Sequence, residues 1–525
     1  MHDGTASSDR RLEATALFAF ALLTGWLNLH HEPWHDELQA WRIALDSSSI
    51  ADMFANVRYE GHPPLFHLLL RLVGAFTHAW SAAVAMHWLI ACLCAWIVLW
   101  HSPFTLLQRV LIVFGYFFVY EYAVIVRPYG PGVCLALGAC AAWSGVPRRP
   151  RLAALLLLLL AATSAIGLLL AIPLAISLLV DAGEFSRGSW WLDCRRRRQV
   201  LLAGAVLGVT AAAVTALIIP PSDALYQVRL ELFARDRLWL IGRAASVPAR
   251  VLLPLAQHFP DGSTEWGSWV FPQTGRSGIL VADIVSLLAM ALMTAVVARR
   301  RAALVLWIVS SVFLLGFFAF VFGGGLRHHG FLIIAFVAAA WLAQAPARSA
   351  GAQPHAQGDA AIARWRRASF TALLALMVLP SVQFAIAEVR EPFSDASQIA
   401  GLLAADSLAA APVVGLAYPW SQPVAALLQR PIYLPAESRV AMWVARRNVV
   451  EGPAARLLAD STVRVLLATH CQVVVLSSRG NRDQQFVWPG ARKLALHAGT
   501  PMAGDPLQVW VVTASRCQQA VTPAR

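Results

Sequence analysis

Two adjacent acidic residues, Asp36 and Glu37, come shortly after the first apolar stretch of the chain. A carboxylate can take a proton from a hydroxyl group, so the pair predicts general-base chemistry, such as the transfer of a group to an alcohol. Neighbouring residues do not share a helix face, so one carboxylate can face a reacting group while the other caps a helix or binds a cation. The same residues leave a second interpretation open, in which Asp36 only caps a helix predicted from Leu38 to Leu45.

A second polar cluster precedes the next apolar run. It consists of Arg58, Tyr59, Glu60 and His62. The run that follows, Pro64 to Phe76, is short for a membrane span, and we expect it to form a helix in the membrane interface. Both polar clusters are therefore expected at one boundary between lipid and water.

Several histidines lie close in sequence to the acidic pair. They are His30, His31, His35 and His62. Imidazole and carboxylate groups suit zinc or manganese, but the spacing matches no fixed metal motif. No metal ligand and no cofactor is therefore firmly predicted, and a divalent cation is left open beside plain hydrogen bonding at a wet interface.

The composition identifies the kind of scaffold that holds these residues. The 525 residues are 58% hydrophobic and only 14% charged, which is typical of a multi-pass membrane protein. The net charge of +13 comes mostly from arginines between apolar runs. That placement fits topology signals and contact with membrane lipids, and it argues against a nucleic-acid partner, which needs a water-exposed basic face.

Eleven stretches are candidate spans, since a helical span needs about 20 apolar residues, or fewer with anchored ends. They are roughly 14–29, 83–100, 105–121, 131–146, 152–163, 165–180, 200–219, 278–298, 302–322, 330–345 and 369–387. With a cytoplasmic N-terminus, the basic clusters all fall inside, as the positive-inside rule requires. These clusters are Arg148 to Arg151, Arg195 to Arg198, Arg299 to Arg301 and Arg364 to Arg367. The count requires residues 152–180 to form a hairpin that turns near Thr163, Ser164 and Gly167, because a single span would reverse the sidedness of everything after it.

The composition changes near Glu388, which divides the chain into residues 1–388 and residues 389–525. Short β-branched runs alternate there with helical stretches, a pattern that predicts a small soluble α/β domain outside the cytoplasm. The predicted strands are Val413–Ala417, Val463–Ala468, Val473–Ser477 and Val509–Thr513, and the predicted helices include Asp395–Ala410 and Pro453–Asp460. An oxidising compartment permits a disulfide between Cys471 and Cys517, and the sequence leaves open whether it forms.

The motifs resemble those of the GT-C superfamily of membrane glycosyltransferases. Within it the chain is most similar to the protein O-mannosyltransferase and aminoarabinose transferase group, which is family 39-like. Four motifs carry the resemblance, which covers about residues 14–345: Asp36-Glu37, Gly61-His62-Pro63-Pro64-Leu65, Arg127-Pro128-Tyr129 and Arg327-His328-His329-Gly330. The last departs from the family, which usually has an Arg-Tyr pair where His328-His329 stand.

The resemblance implies a GT-C-like fold in the bacterial plasma (inner) membrane and an enzyme that transfers a hexosyl or pentosyl group. The donor would be a polyprenyl-phosphate sugar, and the acceptor a glycan, lipid or protein at the outer face. Asp36 maps onto the catalytic acidic residue, with Glu37 beside it. The residues implied to bind substrate are Arg58, Tyr59, Glu60, His62, Arg127, Tyr129, Arg327 and His328. Arg127 and Arg327 would hold the phosphate, since Arg forks onto its oxygens.

Two outer loops, residues 30–80 and 220–277, are expected to form the site. The second is predicted to hold a helix from about Ser222 to Arg243. Tryptophans near the outer face can stack on sugar rings or on a lipid tail, although anchoring at the interface is their commoner role. These are Trp34, Trp41, Trp266 and Trp269.

Two other functions remain open. A transporter or flippase of a lipid-linked glycan would carry ionisable residues near mid-membrane and two pseudo-symmetric halves, and neither is evident in the sequence. A non-enzymatic envelope assembly protein would use Asp36 only as a helix cap. Independently of these alternatives, Arg127 and Arg327 can be interpreted as residues that only snorkel to the membrane interface.

Overall fold

The computed structural model describes residues 2–183, 194–225, 241–255, 257–258, 264–267, 276–345, 357–405, 408–479, 485–494, 502–503 and 507–518. The helices up to residue 252 are α1 (His2–His30), α2 (His35–Asp46), α3 (Ile50–Val57), α4 (Leu65–Gly74), α5 (Trp80–His101), α6 (Leu106–Val113), α7 (Tyr129–Ser144), α8 (Pro150–Ala161), α9 (Ala165–Asp181), α10 (Cys194–Ile218) and α11 (Val247–Leu252). Those that follow are α12 (Arg276–Val297), α13 (Arg301–Phe320), α14 (Leu326–His329), α15 (Phe331–Gln344), α16 (Gln357–Leu376), α17 (Val378–Arg390), α18 (Ala396–Ala404), α19 (Gln422–Leu428), α20 (Gly452–Thr469) and α21 (Ser515–Gln518). Short strands β1 (Gln257–His258) and β2 (Thr264–Glu265) pair in the loop after α11.

Long apolar helices confirm the prediction of a multi-pass membrane protein. Within the described ranges, seven helical segments are long and apolar enough to cross a membrane. They lie in α1, α5, α10, α12 and α13, in α14 with α15, and in α16 with α17. Helices α4, α8 and α9 are apolar but shorter. The count of eleven spans therefore stays a prediction.

The span predicted at residues 105–121 is wrong as a continuous helix. Helix α6 ends at Val113, and a π-helical turn follows at Phe117–Glu121. The amide of Tyr116 donates to the carbonyl of Met377, 2.9 Å away, instead of to its own helix. Met377 lies between α16 and α17. The amide after the end of α6 is therefore paired with a carbonyl at the break between α16 and α17. Sequence periodicity does not reveal such a contact.

Residues 152–180 form two helices and not one. Helices α8 and α9 pack against each other, and the chain turns between them at residues 162–164. The Ser164 hydroxyl accepts a hydrogen bond from the amide of Gly167, 2.9 Å away, and so caps α9. The hairpin expected at Thr163 and Ser164 is therefore present.

One end of the helix bundle is held by a buried ion cluster. The Asp181 carboxylate lies 2.7 Å from the guanidinium of Arg148 and 2.6 Å from that of Arg300. The Trp143 indole donates to the same carboxylate, 2.8 Å away. Two of the predicted cytoplasmic basic clusters thus meet at one end, whereas Asp36 follows α1 at the other.

The C-terminal part contains a sheet of β3 (Val413–Gly415), β4 (Ile432–Leu434), β5 (Arg439–Ala441), β6 (Gln472–Ser478), β7 (Arg492–Leu494) and β8 (Leu507–Thr513). Among described residues the strand order is β5-β4-β3-β6-β8-β7, with β3 parallel to β4 and β6 and the other pairs antiparallel. Strands β3, β6 and β8 match three of the four predicted strands.

The fourth predicted strand, Val463–Ala468, is wrong, because these residues lie inside α20. The buried positions Ala459, Val463 and Leu466 follow helical spacing and form one face. The predicted helices lie within or overlap α18 and α20. Cys471 and Cys517 are joined as a disulfide, with their Cα atoms 5.6 Å apart.

Half of the loop 220–277 lies outside the described residues. This applies to most of the predicted helix Ser222–Arg243, and to Trp269. Asp223, Ala224 and Trp266 are described. They contact Tyr59, Arg447 and Trp34, respectively.

Candidate active site

The acidic pair sits in the first turn of α2, and its two members face different partners. The helix begins at His35, and the Glu37 carboxylate accepts a hydrogen bond from the amide of Trp34, 3.2 Å away. The capping role suggested for Asp36 therefore belongs to Glu37. Asp36 is left with its carboxylate among side chains.

Three arginines from distant parts of the chain surround the Asp36 carboxylate. A guanidinium nitrogen of Arg327 lies 2.8 Å from Oδ2, and one of Arg127 lies 3.7 Å from the same oxygen. On the other side, an Arg446 nitrogen lies 3.5 Å from Oδ1 and His35 Nε2 lies 3.2 Å from it. The Asp36 side chain is only 10% exposed. Arginines therefore lie on both sides of a carboxylate that is almost completely buried.

Arg127 is fixed by the turn that leads into α7. It donates to the main-chain carbonyl of Asp36, 2.5 Å away, and its other terminal nitrogen lies 3.0 Å from His62 Nε2. The close packing behind it requires a glycine at 130, because a Cβ there would lie 2.6 Å from the carbonyl oxygen of Tyr122. The Nε atom of Arg127 is buried and has no hydrogen-bond partner among described residues.

Arg327 reaches Asp36 from the short helix α14. Its guanidinium lies over the rings of Trp34 and Trp266, at 5.0 and 5.1 Å from their centroids. The Trp266 indole is held by a hydrogen bond to Glu121, 3.2 Å away. The ring of Trp266 therefore stabilises the Arg327 cation, which is a role beyond anchoring the chain at the membrane interface.

Arg446 belongs to the C-terminal part, and sequence reasoning missed it. Its second terminal nitrogen lies 3.3 Å from Glu60 Oε2. Glu60 also accepts from the Gln39 amide group, 2.9 Å away. No local motif marks Arg446, because its partner Asp36 is 410 positions away in the chain.

The charges around Asp36 sum to an excess of positive charge. Burial by itself would raise the pKa of Asp36, but Arg127, His35 and Arg327 together hold it well below its usual value. Burial lowers the pKa of His62, and the neighbouring Arg127 lowers it further. His62 is therefore neutral, and the cations of Arg127, Arg327 and Arg446 outnumber the two carboxylates of Asp36 and Glu60. Such a cluster favours an anionic ligand.

Glu37 belongs to a separate buried network. Its side chain is 0% exposed, and its carboxylate accepts from the amide of Val126 at 2.6 Å and lies 2.9 Å from His31 Nε2. The other ring nitrogen of His31 lies 2.8 Å from Glu388, which also accepts from the Tyr120 hydroxyl. Glu37 thus joins α1, α2 and α17 and does not share the surroundings of Asp36.

The remaining predicted residues divide into two groups. Tyr129 and His328 lie beside the cluster, with the Tyr129 hydroxyl 2.7 Å from His328 Nε2. Arg58 and Tyr59 instead contact the chain just after α10. Arg58 donates to the carbonyl of Ile219 and Tyr59 donates to Asp223, 3.0 Å away.

The four histidines near the acidic pair are not gathered around one point. His30 bonds to the carbonyl of Trp26, His31 bonds to two carboxylates, and His62 bonds to Arg127. Within the described ranges, no three His, Cys, Asp or Glu side chains are placed to hold a metal ion.

Comparisons with known proteins add one likeness. No protein-family model and no curated protein sequence matches the chain. Among solved structures, the chain is similar to the cryo-EM structure of the arabinofuranosyltransferase AftD from mycobacteria, with 14% identity and a TM-score of 0.34. The likeness covers 96% of this chain and 40% of that chain, so the present chain spans about two fifths of the length of the protein it matches. At this score the likeness assigns neither a family nor an activity.

Proposed function

We propose that the protein is a GT-C-type membrane glycosyltransferase that takes a sugar from a polyprenyl-phosphate donor and passes it to an acceptor hydroxyl. The observation that carries this proposal is the convergence of Arg127, Arg327 and Arg446 on one buried carboxylate, Asp36. Cations bind the phosphate of the donor, and a carboxylate among them takes the proton from the acceptor. The sequence resemblance to the O-mannosyltransferase and aminoarabinose transferase group agrees with this assignment.

In the proposed reaction, Arg127 and Arg327 bind the phosphate of the donor. Asp36 removes the proton of the acceptor hydroxyl as its oxygen attacks the anomeric carbon of the sugar. The bond between that carbon and the phosphate oxygen breaks, and polyprenyl phosphate leaves with the bonding electrons. Fixed guanidinium groups stabilise the charge that develops on the leaving phosphate, and attack from the opposite side inverts the anomeric centre.

Donor binding would also prepare the base. Arg127 and Arg327 are among the groups that hold the pKa of Asp36 low, and so they make it a weak base on its own. A phosphate between these arginines would share their charge and raise the proton affinity of Asp36. Proton removal would then be strong only when the donor is in place.

A groove between α1 and α17 offers a path for the lipid tail. It encloses about 440 Å³ and is lined by Leu23, Trp26, Leu27, Phe114, Val378, Ser381, Val382, Ala385, Ile386, Val389 and Arg390. The walls are almost wholly apolar, as an isoprenoid chain requires, and Arg390 supplies a cation for an anionic headgroup at one end. The same two helices meet at the pair of His31 and Glu388, next to Glu37. The groove thus ends close to the acidic pair.

The site is proposed to face the outside of the cell. Asp36 follows the C-terminal end of α1, whereas the cluster of Arg148, Asp181 and Arg300 lies at the opposite end of the bundle. By the positive-inside rule the arginine-rich end is cytoplasmic. Residues 389–525 are proposed to lie outside with the site, because Arg446 contacts Asp36. The membrane is proposed to be the bacterial inner membrane.

The proposal is tested with the purified protein in liposomes and a panel of polyprenyl phosphates that carry different radiolabelled sugars. We expect one donor to lose its sugar, with one polyprenyl phosphate released for each sugar transferred to an added envelope glycan or to water. The transporter alternative predicts instead that labelled sugar reaches the other leaflet while still attached to its lipid. Neither release nor transfer from any donor, with acceptor extracts present, would refute the proposal.

A further inference from the structure

We propose that the C-terminal part of the chain completes the active site, and that Arg446 is a positioning residue that holds Asp36 by its Oδ1 atom. This inference rests on the proposed function and adds a role for residues 437–448. These residues are called the arginine segment below. The observations that carry it are the contacts of Arg446 and the backbone that presents it.

The arginine segment is built around a buried carboxylate. The Glu437 side chain, 1% exposed, accepts from the amides of Ala445 and Arg446 at 2.9 and 2.8 Å. It also accepts from the Tyr418 hydroxyl at 2.9 Å and lies 2.6 Å from Arg439. Glu437 therefore fixes the backbone from which Arg446 extends.

The backbone at Arg446 and Asn448 adopts a conformation that residues other than glycine rarely adopt. The φ angle is 55° at Arg446 and 49° at Asn448, both in the left-handed region that suits glycine. Strained backbone of this kind persists where surrounding contacts enforce it. At Arg446 this conformation directs the side chain toward Asp36 and Glu60.

The arginine segment is docked onto the membrane part from two sides. On one side Gln39 of α2 pairs with the backbone of Val444, donating to its carbonyl at 2.6 Å and accepting from its amide at 3.0 Å. On the other side the carbonyl of Arg446 accepts from Leu225, and the amide of Asn448 donates to Asp223. The contact between Arg446 and Asp36 is thus part of a shaped interface.

The geometry assigns the two oxygens of Asp36 to different partners. Arg446 and His35 hold Oδ1, while Arg127 and Arg327 hold Oδ2. When a donor phosphate takes up Arg127 and Arg327, Oδ2 becomes available for the proton of the acceptor. Arg446 then keeps the carboxylate from turning away, so its loss affects turnover more than donor binding.

The test compares Arg446→Gln and Arg446→Lys with wild type and with Arg492→Ala, which removes an exposed arginine from β7 of the same sheet. We expect kcat to fall about 100-fold in Arg446→Gln, with the donor KM changed less than about threefold. Arg446→Lys should recover part of the activity, and Arg492→Ala should match wild type. A residue of purely structural importance would instead lower the melting temperature and the amount of active protein, with kcat per active site unchanged.

A second measurement does not depend on turnover. The melting temperatures of Asp36→Asn, Arg446→Gln and the double variant form a cycle that reports whether the two side chains interact. We expect the melting-temperature shift of the double variant to differ from the sum of the shifts of the two single variants. Additive shifts, or full kcat in Arg446→Gln while Asp36→Asn is inactive, would overturn this inference alone. An inactive wild type with a non-additive cycle would refute the proposed glycosyl transfer and keep the coupling of the C-terminal part to Asp36.

Discussion

Replacement of His31 by Gln should destabilise the protein strongly at neutral pH. His31 lies between Glu37 and Glu388, at 2.9 and 2.8 Å, and all three side chains are almost completely buried. A Gln side chain can donate to one of the carboxylates, but its carbonyl oxygen then faces the other. Two buried carboxylates would remain without their cation, and breaking a buried pair in this way costs about 3–5 kcal/mol.

The pKa of His31 gives an independent magnitude. Burial lowers it, but the charges and hydrogen bonds of Glu37 and Glu388 outweigh burial and raise it from 6.5 to about 10. A shift of this size corresponds to about 5 kcal/mol. Because the folded state binds the proton more tightly, the wild type has the full contribution below pH 6.5 and loses it as the pH rises to about 10.

The assay is the free energy of unfolding by steric trapping in bicelles, at several pH values between 5.5 and 10. We expect wild-type stability to fall as the pH rises through this window. The His31→Gln variant should be less stable by about 3–5 kcal/mol at pH 7 and should regain stability toward pH 5.5, as the carboxylate pair takes up a proton. The matched control, His30→Gln, changes a neighbouring histidine that bonds only to the carbonyl of Trp26 among described residues. A difference below about 1 kcal/mol, or a wild-type stability independent of pH, would contradict the role of His31 as the cation between Glu37 and Glu388.

Three further predictions concern other parts of the molecule. Arg127→Gln and Arg327→Gln should each lower kcat/KM for the lipid donor about 100-fold, measured with initial rates, because each would remove a charge-assisted contact to the phosphate in the proposed reaction. An unchanged kcat/KM would exclude them from the phosphate site. Asp181→Asn should lower the free energy of unfolding by about 3 kcal/mol without changing the donor KM, because it removes the carboxylate that Arg148 and Arg300 share at the far end of the bundle. A changed KM would contradict this separation. Ala385→Trp should fill the groove between α1 and α17 and raise KM for long-chain donors but not for donors with a short tail, and equal KM values would place the tail elsewhere.

The sequence predicts the scaffold better than it predicts the site. The length of the apolar runs, bounded by arginines, predicts the long helices. Ser164 correctly marks the turn of the hairpin. Local pattern fails where distant partners decide the outcome. The helix expected at 105–121 is opened by a hydrogen bond to Met377, and Val463–Ala468 joins α20 because its apolar face continues that of Ala459.

The acidic pair shows the same limit within the site. Asp36 and Glu37 are equivalent in sequence, and only tertiary contacts give one to the arginines and the other to a buried histidine. Arg446 could not be predicted at all, since its approach to Asp36 depends on how the C-terminal part docks. The motif that contains Asp36 predicts general-base chemistry, and the fold brings three arginines around that carboxylate.

The measurement that tests the account most directly is the rate of sugar transfer by wild type and by Asp36→Asn at saturating donor. The control is Asp52→Asn, the same substitution in the same segment, at a residue whose hydrogen-bond partners among the described residues are Ser48, Ser49 and Asn56. We expect Asp36→Asn to stay folded at the assay temperature, with a lowered melting temperature because three arginines lose their shared carboxylate. It should transfer sugar at least about 1000-fold more slowly, with Asp52→Asn unchanged. Equal rates in Asp36→Asn and wild type would contradict the assignment of Asp36 as the base.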